Sequence, residues 1–135
     1  MFEKTRVILC VDDEAEPLAL RKLVLQSRGF TVLTANTAEQ ALKLFLSRDI
    51  SLVLTDHLLT GLDSGAAMTA EMKRLKPRVP IAIYSGGTEV LDVGEANLFM
   101  SKLMPVEELF ARIEDLISGK VHVAANLQGT AKKAA

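Results

Sequence analysis

Residues 7 to 13 read Val7-Ile8-Leu9-Cys10-Val11-Asp12-Asp13: five apolar side chains without a polar break, then two carboxylates. A strand with one face in water alternates apolar and polar residues, whereas a strand covered on both faces is apolar throughout. The run therefore predicts a strand buried on both faces. Downstream, Pro17 suits the first turn of a helix, where its missing N–H costs nothing. Leu20, Leu23, Val24 and Ser27 share a face of that helix, and Gly29 suits the C′ position beyond its end. Together these residues form one strand-helix unit.

The unit recurs. Phe30 to Ala35 reads as a second strand, and Thr37-Ala38-Glu39-Gln40 is a capping-box pattern opening a helix with Ala38, Ala41, Leu42 and Phe45 along one side. Ile50 to Thr55 is a third apolar run, ended by Asp56. A helix with Met68, Met72 and Leu75 inward then runs toward Pro77. Val79 to Tyr84 makes a fourth strand ending at Ser85-Gly86-Gly87, and Asn97 to Ser101 a shorter fifth ending at Lys102. Between them, Thr88 to Ala96 holds a couple of helical turns at most, and Gly94 weakens even those, so the helix between strands four and five is expected to be short or irregular. Pro105 stands at the start of a last helix, whose stripe Val106, Leu109, Phe110, Ile113, Leu116 and Ile117 stops at Gly119. Five short strands alternating with helices imply right-handed crossovers and a doubly wound α/β fold with a five-stranded parallel sheet.

Composition bounds the function classes. The 135 residues suffice for one domain of ordinary size, and 49% hydrophobic with 24% charged residues is globular composition. With 4% aromatics and no Trp, there is little material for stacking nucleobases or sugars. Sixteen Lys and Arg against seventeen Asp and Glu leave a net charge of −1, which offers no basic footprint for nucleic acid or anionic membranes. A protein partner is expected. The single Cys10 cannot form an intramolecular disulfide, and no apolar run is long enough for a signal peptide or a membrane span, so the expected location is cytoplasmic.

In doubly wound sheets ligands bind beyond the carboxyl ends of the strands. At those ends stand Asp12, Asp13 and Glu14, then Asp56, Ser85 and Lys102. Carboxylates gathered within a few ångströms either share protons or recruit a hard divalent cation. Mg2+ is the natural occupant, since it takes few protein ligands and leaves positions for phosphoryl oxygens. A nearby ammonium and hydroxyl complete a cradle suited to phosphoryl transfer.

These motifs resemble the receiver domain of bacterial response regulators, a CheY-like family of two-component signalling. The resemblance runs from Arg6 to Gly119 and rests on four separated motifs in order: Val11-Asp12-Asp13, Asp56 after a hydrophobic strand, Ser85-Gly86, and Lys102 three residues after Phe99. It implies the flavodoxin-like strand order 2-1-3-4-5, a receiver domain over residues 1–119 and a flexible C-terminal tail over 120–135. Asp56 is similar to the phosphoacceptor, Asp12 and Asp13 to the Mg2+-holding pair, and the backbone carbonyl of Leu58 to a further metal ligand. Ser85 resembles the switch hydroxyl, Lys102 the phosphoryl-binding lysine and Phe99 the switch aromatic. The implied partners are a histidine kinase or phosphotransfer protein and a downstream protein target, with no direct nucleic acid or membrane contact and a homodimer left open. The implied chemistry is self-phosphotransfer and self-dephosphorylation rather than enzymatic turnover.

The chain departs from the family pattern in several places. Thr60 stands where the family usually has proline, and Ser64 precedes Gly65 near the start of the third helix. Leu103 rather than proline follows Lys102, and a trans Lys102–Leu103 bond is expected because a non-proline cis bond costs about 3 kcal/mol. The short Ser85–Lys102 interval alters the segment through which the family commonly signals. Apolar Leu58 cannot position a water, which suggests a long-lived phosphoryl group; rapid loss of the acyl phosphate in Mg2+ buffer would count against that.

Two competing readings remain. A pseudo-receiver would keep the fold and bind a partner without phosphorylation. An aspartyl-phosphate phosphohydrolase would need a second aspartate where Leu58 stands. A nucleotide fold is disfavoured, because Asp12-Asp13-Glu14 replaces the glycine-rich turn and repels phosphate.

Overall fold

The first apolar run forms the strand β1 (Val7–Val11), and Ile8, Leu9, Cys10 and Val11 have no exposure to solvent. A computed structural model describes residues 6–56, 65–85 and 96–119 of the chain. After β1 come α1 (Ala15–Gln26), β2 (Thr31–Ala35), α2 (Ala38–Ser47), β3 (Leu52–Thr55), α3 (Gly65–Leu75), β4 (Ile81–Ser85), β5 (Leu98–Ser101) and α4 (Val106–Ser118). All strand pairs are parallel, in the order β2-β1-β3-β4-β5. The predicted fold class and strand order both hold. The expected short helix between Thr88 and Ala96, the tail over 120–135, and the loop carrying Leu58 and Thr60 lie outside the described residues.

Right-handed crossovers explain the layering. From β1 the chain steps outward to β2, then returns past β1 to β3 and on to β4. The first crossover helix is therefore on one face of the sheet and the next two on the other. Leu9, Val11 and Val53 form one core with Ala38, Ala41 and Phe45 of α2 and Met68 and Met72 of α3. Because strand side chains alternate, Ile8 and Cys10 point to the opposite face.

Local signals set the helix ends. Thr37 caps α2 by accepting from the Gln40 backbone N–H at 3.1 Å, while the Gln40 side chain accepts from Asn36 N–H, a near version of the expected capping box. The C-terminal carbonyls of α2 are covered by Lys76, whose Nζ donates to Phe45 O at 2.7 Å and to Arg48 O at 3.2 Å. A cation there also suits the negative end of the helix dipole. Beyond α1 the cap is Ser27, and Gly29 adopts a left-handed φ of +90° that side chains rarely tolerate.

The face of α1 differs from the sequence expectation. Leu18, Arg21 and Leu25 are buried, whereas Leu20 is 63% and Leu23 64% exposed. The interior stripe follows the spacing i, i+3, i+7, and an arginine occupies its centre. Apolarity alone points to the leucines. The arginine turns inward because an anion waits there, as the site geometry makes plain.

The sheet and α1 to α3 belong to one compact unit, Met1–Leu103, and α4 to another, Met104–Ala135. In α4, Leu109, Phe110 and Ile113 are buried, Pro105 is the N-cap and Gly119 ends the helix with a φ of +84°.

Candidate functional site

Register places the acids. Val11 of β1 pairs with Ala35 of β2 and with Thr55 of β3, so the residues after β1 and β3 emerge side by side at one edge. Backbone hydrogen bonds pin both: Asp12 N–H donates to Ala35 O at 3.1 Å and Asp56 N–H to Val11 O at 2.9 Å. The chain leaves β1 toward β2 and returns to β3, so this crevice is the topological switch point of the sheet.

Carboxylate oxygens of Asp12, Asp13 and Asp56 lie within 4.8 Å of one another. Asp12 is buried and the other two are half-buried. Asp12 Oδ1 accepts from the Glu14 N–H at 3.0 Å, and its Oδ2 faces two cations, Arg21 Nη1 and Lys102 Nζ, each at 3.3 Å. Burial pushes the Asp12 carboxyl toward protonation, but the Glu14 N–H, Lys102 and Arg21 together outweigh it and hold its pKa below the usual carboxylate value. Asp12 is therefore ionised at neutral pH.

Lys102 follows β5 and reaches across the strand ends, with Nζ 3.7 Å from Asp56 Oδ2. No proline fixes the bond after it, and no cis peptide occurs among the described residues, as expected for Lys102–Leu103. The turn is shaped instead by Ser101 Oγ, which accepts from the Leu103 N–H at 3.0 Å. Ser85 is the last residue of β4 and pairs in register with Ser101, so it stands at the same carboxyl edge. Phe99, half-buried on β5, is opposite Ile83 of β4. The Leu58 carbonyl expected as a metal ligand lies outside the described residues.

Arg21 joins this site from α1, where hydrophobic periodicity alone would turn it to solvent. Its side chain is 7% exposed, and its guanidinium lies over the Tyr84 ring at 4.9 Å from the centroid. The signal was available in the spacing: Leu18, Arg21 and Leu25 fall on one helical face. Reading an arginine as an interior residue required knowing that Asp12 would be its partner.

The donor set suits a hard divalent cation: three carboxylates converge with oxygens only, two of them half-buried. The lysine beside them can pair with an anion once it leaves the carboxylates. These groups can hold a metal, accept a phosphoryl group and compensate its charge.

The comparisons agree with this geometry. The sequence model of the response regulator receiver domain matches residues 8–114. Among curated proteins, the chain is 32% identical over 117 residues to the cell cycle transcriptional regulator CtrA of Caulobacter vibrioides, covering 83% of this chain and 50% of that protein. It is 27% identical over 122 residues to the transcriptional regulatory protein GlrR of Escherichia coli, covering 87% of this chain and 27% of that protein. The chain thus spans about a quarter to a half of these relatives. Among solved structures, it is similar to the response regulator TrrA of Thermotoga maritima in complex with Mg2+-BeF, with 30% identity, a TM-score of 0.77, and coverage of 83% of this chain and 99% of that one. A receiver domain protein from Clostridium thermocellum gives 26% identity and a TM-score of 0.73 over 84% of this chain and 94% of that one. With the family match running from β1 into α4, the chain belongs to the response regulator receiver domain family.

Proposed function

We propose that Asp56 is the phosphoacceptor of this domain, taking a phosphoryl group from a histidine kinase or phosphotransfer protein. Phosphorylation of an aspartate with Mg2+ is general to the family. The observation that carries the assignment is the position of Lys102 Nζ, 3.3 Å from Asp12 Oδ2 and 3.7 Å from Asp56 Oδ2. A cation held between these carboxylates is already where the charge of a new phosphoryl group would develop.

In the transfer, one Asp56 carboxylate oxygen bonds to phosphorus as the N–P bond of the donor's phosphohistidine breaks. The electron pair stays on the imidazole nitrogen, and the ring, protonated beforehand on its other nitrogen, leaves neutral. Asp12, Asp13 and Asp56 would hold Mg2+, whose charge would screen the repulsion between the acceptor and the incoming phosphoryl oxygens. Lys102 exchanges a carboxylate for a phosphoryl oxygen. The Ser85 hydroxyl donates to another, and Phe99 turns inward. The phosphoryl group gains these contacts in only one of the two conformations, which is what shifts the population.

The domain acts as a phosphorylation switch, with turnover confined to its own phosphoryl group, and passes its state to a downstream protein target in the cytoplasm. None of the described helices is long and apolar enough to cross a membrane. The test is intact mass after incubation with Mg2+ and acetyl phosphate or phosphoramidate. One added phosphoryl group, absent in Asp56→Asn and without Mg2+, supports the assignment. Folded protein that binds Mg2+ but gains no mass, from these donors or from a histidine-phosphorylated protein, refutes it in favour of a pseudo-receiver.

A further inference from the structure

The centre of the buried stripe on α1 carries Arg21 between Leu18 and Leu25. An arginine side chain that is 7% exposed has lost most of its hydration, which is unfavourable unless an anion compensates the charge. Asp12 does so, with Oδ2 at 3.3 Å, and the Tyr84 ring covers the cation at 4.9 Å. Tyr84 immediately precedes Ser85, so Arg21 ties the first acid of the cluster to the strand that ends at the proposed switch hydroxyl.

The same Asp12 oxygen also holds Lys102, at 3.3 Å. Were Lys102 the sole side-chain cation on Asp12, its departure toward a phosphoryl oxygen would strip a buried carboxylate of its ion-pair partner, and that penalty would oppose phosphorylation. Arg21 removes the conflict. Its guanidinium stacks on Tyr84 and pairs with Asp12 at once, and its attachment to a packed helix keeps it in place while the lysine moves. The same fixed charge cancels part of the negative field that a divalent ion would sense.

We propose that Arg21 is a positioning residue of this site: a standing counter-ion for Asp12 that releases Lys102 to the phosphoryl group and weakens divalent-cation binding by the acidic cluster. The inference rests on the assignment of Asp56 as a Mg2+-dependent phosphoacceptor. It predicts opposite effects on two quantities. Removing the charge tightens Mg2+ binding, because the carboxylates lose a competitor. It also slows phosphorylation at saturating Mg2+, because without the guanidinium the carboxylates hold Lys102 more strongly and its move to the phosphoryl oxygen costs more.

The chain carries its own reporter. Tyr84 is its single Tyr and there is no Trp, so tyrosine fluorescence reads the ring beneath the guanidinium. Mg2+ titrations followed by this signal and by calorimetry, with acetyl phosphate phosphorylation followed by intact mass, compare wild type, Arg21→Met and Arg21→Lys. Arg21→Met is expected to lower the apparent Mg2+ dissociation constant by about threefold to tenfold. It should also slow phosphorylation severalfold, with Arg21→Lys, which keeps the charge but not the stacked guanidinium, falling between wild type and Arg21→Met in both. Should Arg21→Met fail to fold by circular dichroism, Arg21→Gln, which keeps donors to Asp12 without the charge, is read by the same criteria. Unchanged or weaker Mg2+ binding in the folded neutral variant, or a phosphorylation rate that does not fall, overturns the role of Arg21. A wild type that neither binds Mg2+ nor takes a phosphoryl group overturns the underlying assignment as well.

Discussion

Asp12→Asn preserves the shape of the side chain and deletes its charge. In the wild type, Asp12 Oδ2 is 3.3 Å from Arg21 Nη1 and 3.3 Å from Lys102 Nζ. At an effective dielectric constant of about 20, each such pair attracts by roughly 5 kcal/mol. Against this, the carboxylates of Asp13 and Asp56 lie within 4.8 Å, and each repels Asp12 by at least roughly 3.5 kcal/mol on the same basis. The attractions win by at most about 3 kcal/mol, at the low end of the roughly 3–5 kcal/mol lost when one partner of a buried ion pair is removed. Lys102, 25% exposed, can turn to water and recover part of the loss, whereas Arg21, 7% exposed, cannot. The expected destabilisation is about 2–3 kcal/mol, a fall in Tm of roughly 8–15 °C.

Asp13→Asn has the opposite sign. It removes repulsion from a half-buried carboxylate without orphaning Arg21 or Lys102 and should leave Tm unchanged or raise it by about 2–4 °C. Scanning calorimetry at neutral pH without divalent ions measures both. Shifts of the same sign and size in the two variants would refute Asp12 as the paired acid. The pH dependence follows from the depressed Asp12 pKa. Its stabilisation is fully present above the unfolded value of about 3.9 and lost as pH falls through the lower folded value. The gap between wild type and Asp12→Asn should therefore close in strong acid.

Lys102→Ala removes the ammonium between Asp12 and Asp56 and should slow phosphorylation by acetyl phosphate by about a hundredfold at saturating Mg2+, measured by intact mass; a rate within about threefold of wild type would exclude the lysine from the transition state. Cys10 is fully buried and burial pushes its thiol up to about 12, so Ellman's reagent at pH 8 should react with it only in denaturant; rapid reaction of the native protein would contradict the burial of β1. Thr37→Ala deletes the cap that accepts from the Gln40 N–H and should cost about 1 kcal/mol, or about 3–6 °C in Tm, with Thr37→Ser largely restoring it.

Much of the fold is legible along the chain because its signals are local. An apolar run of strand length flanked by helical patterns predicts a buried parallel strand, and β1 forms at Val7–Val11 as read. The other strands start later than their apolar runs. Ile50 is buried ahead of β3, and Val79 packs at the core edge ahead of β4, because burial extends beyond the paired backbone. Apolarity marks what is covered, whereas strand bounds depend on pairing with a neighbour, which no single run contains.

The site divides the same way. That Asp12, Asp13, Asp56, Ser85 and Lys102 belong to one edge follows from their places at strand ends, since parallel strands bring their carboxyl ends together whatever lies between them. The division of labour among the acids does not follow. Asp12 and Asp13 are identical in type and adjacent, yet one is buried against two cations and the other is half-buried in the cluster. The outward turn of Leu20 and Leu23 and the inward turn of Arg21 belong to the same fact. Hydrophobic periodicity weighs each side chain against water, and by that measure an arginine faces out. Only the folded arrangement supplies a buried carboxylate and an aromatic ring at the distances that make the interior the better solvent for its charge.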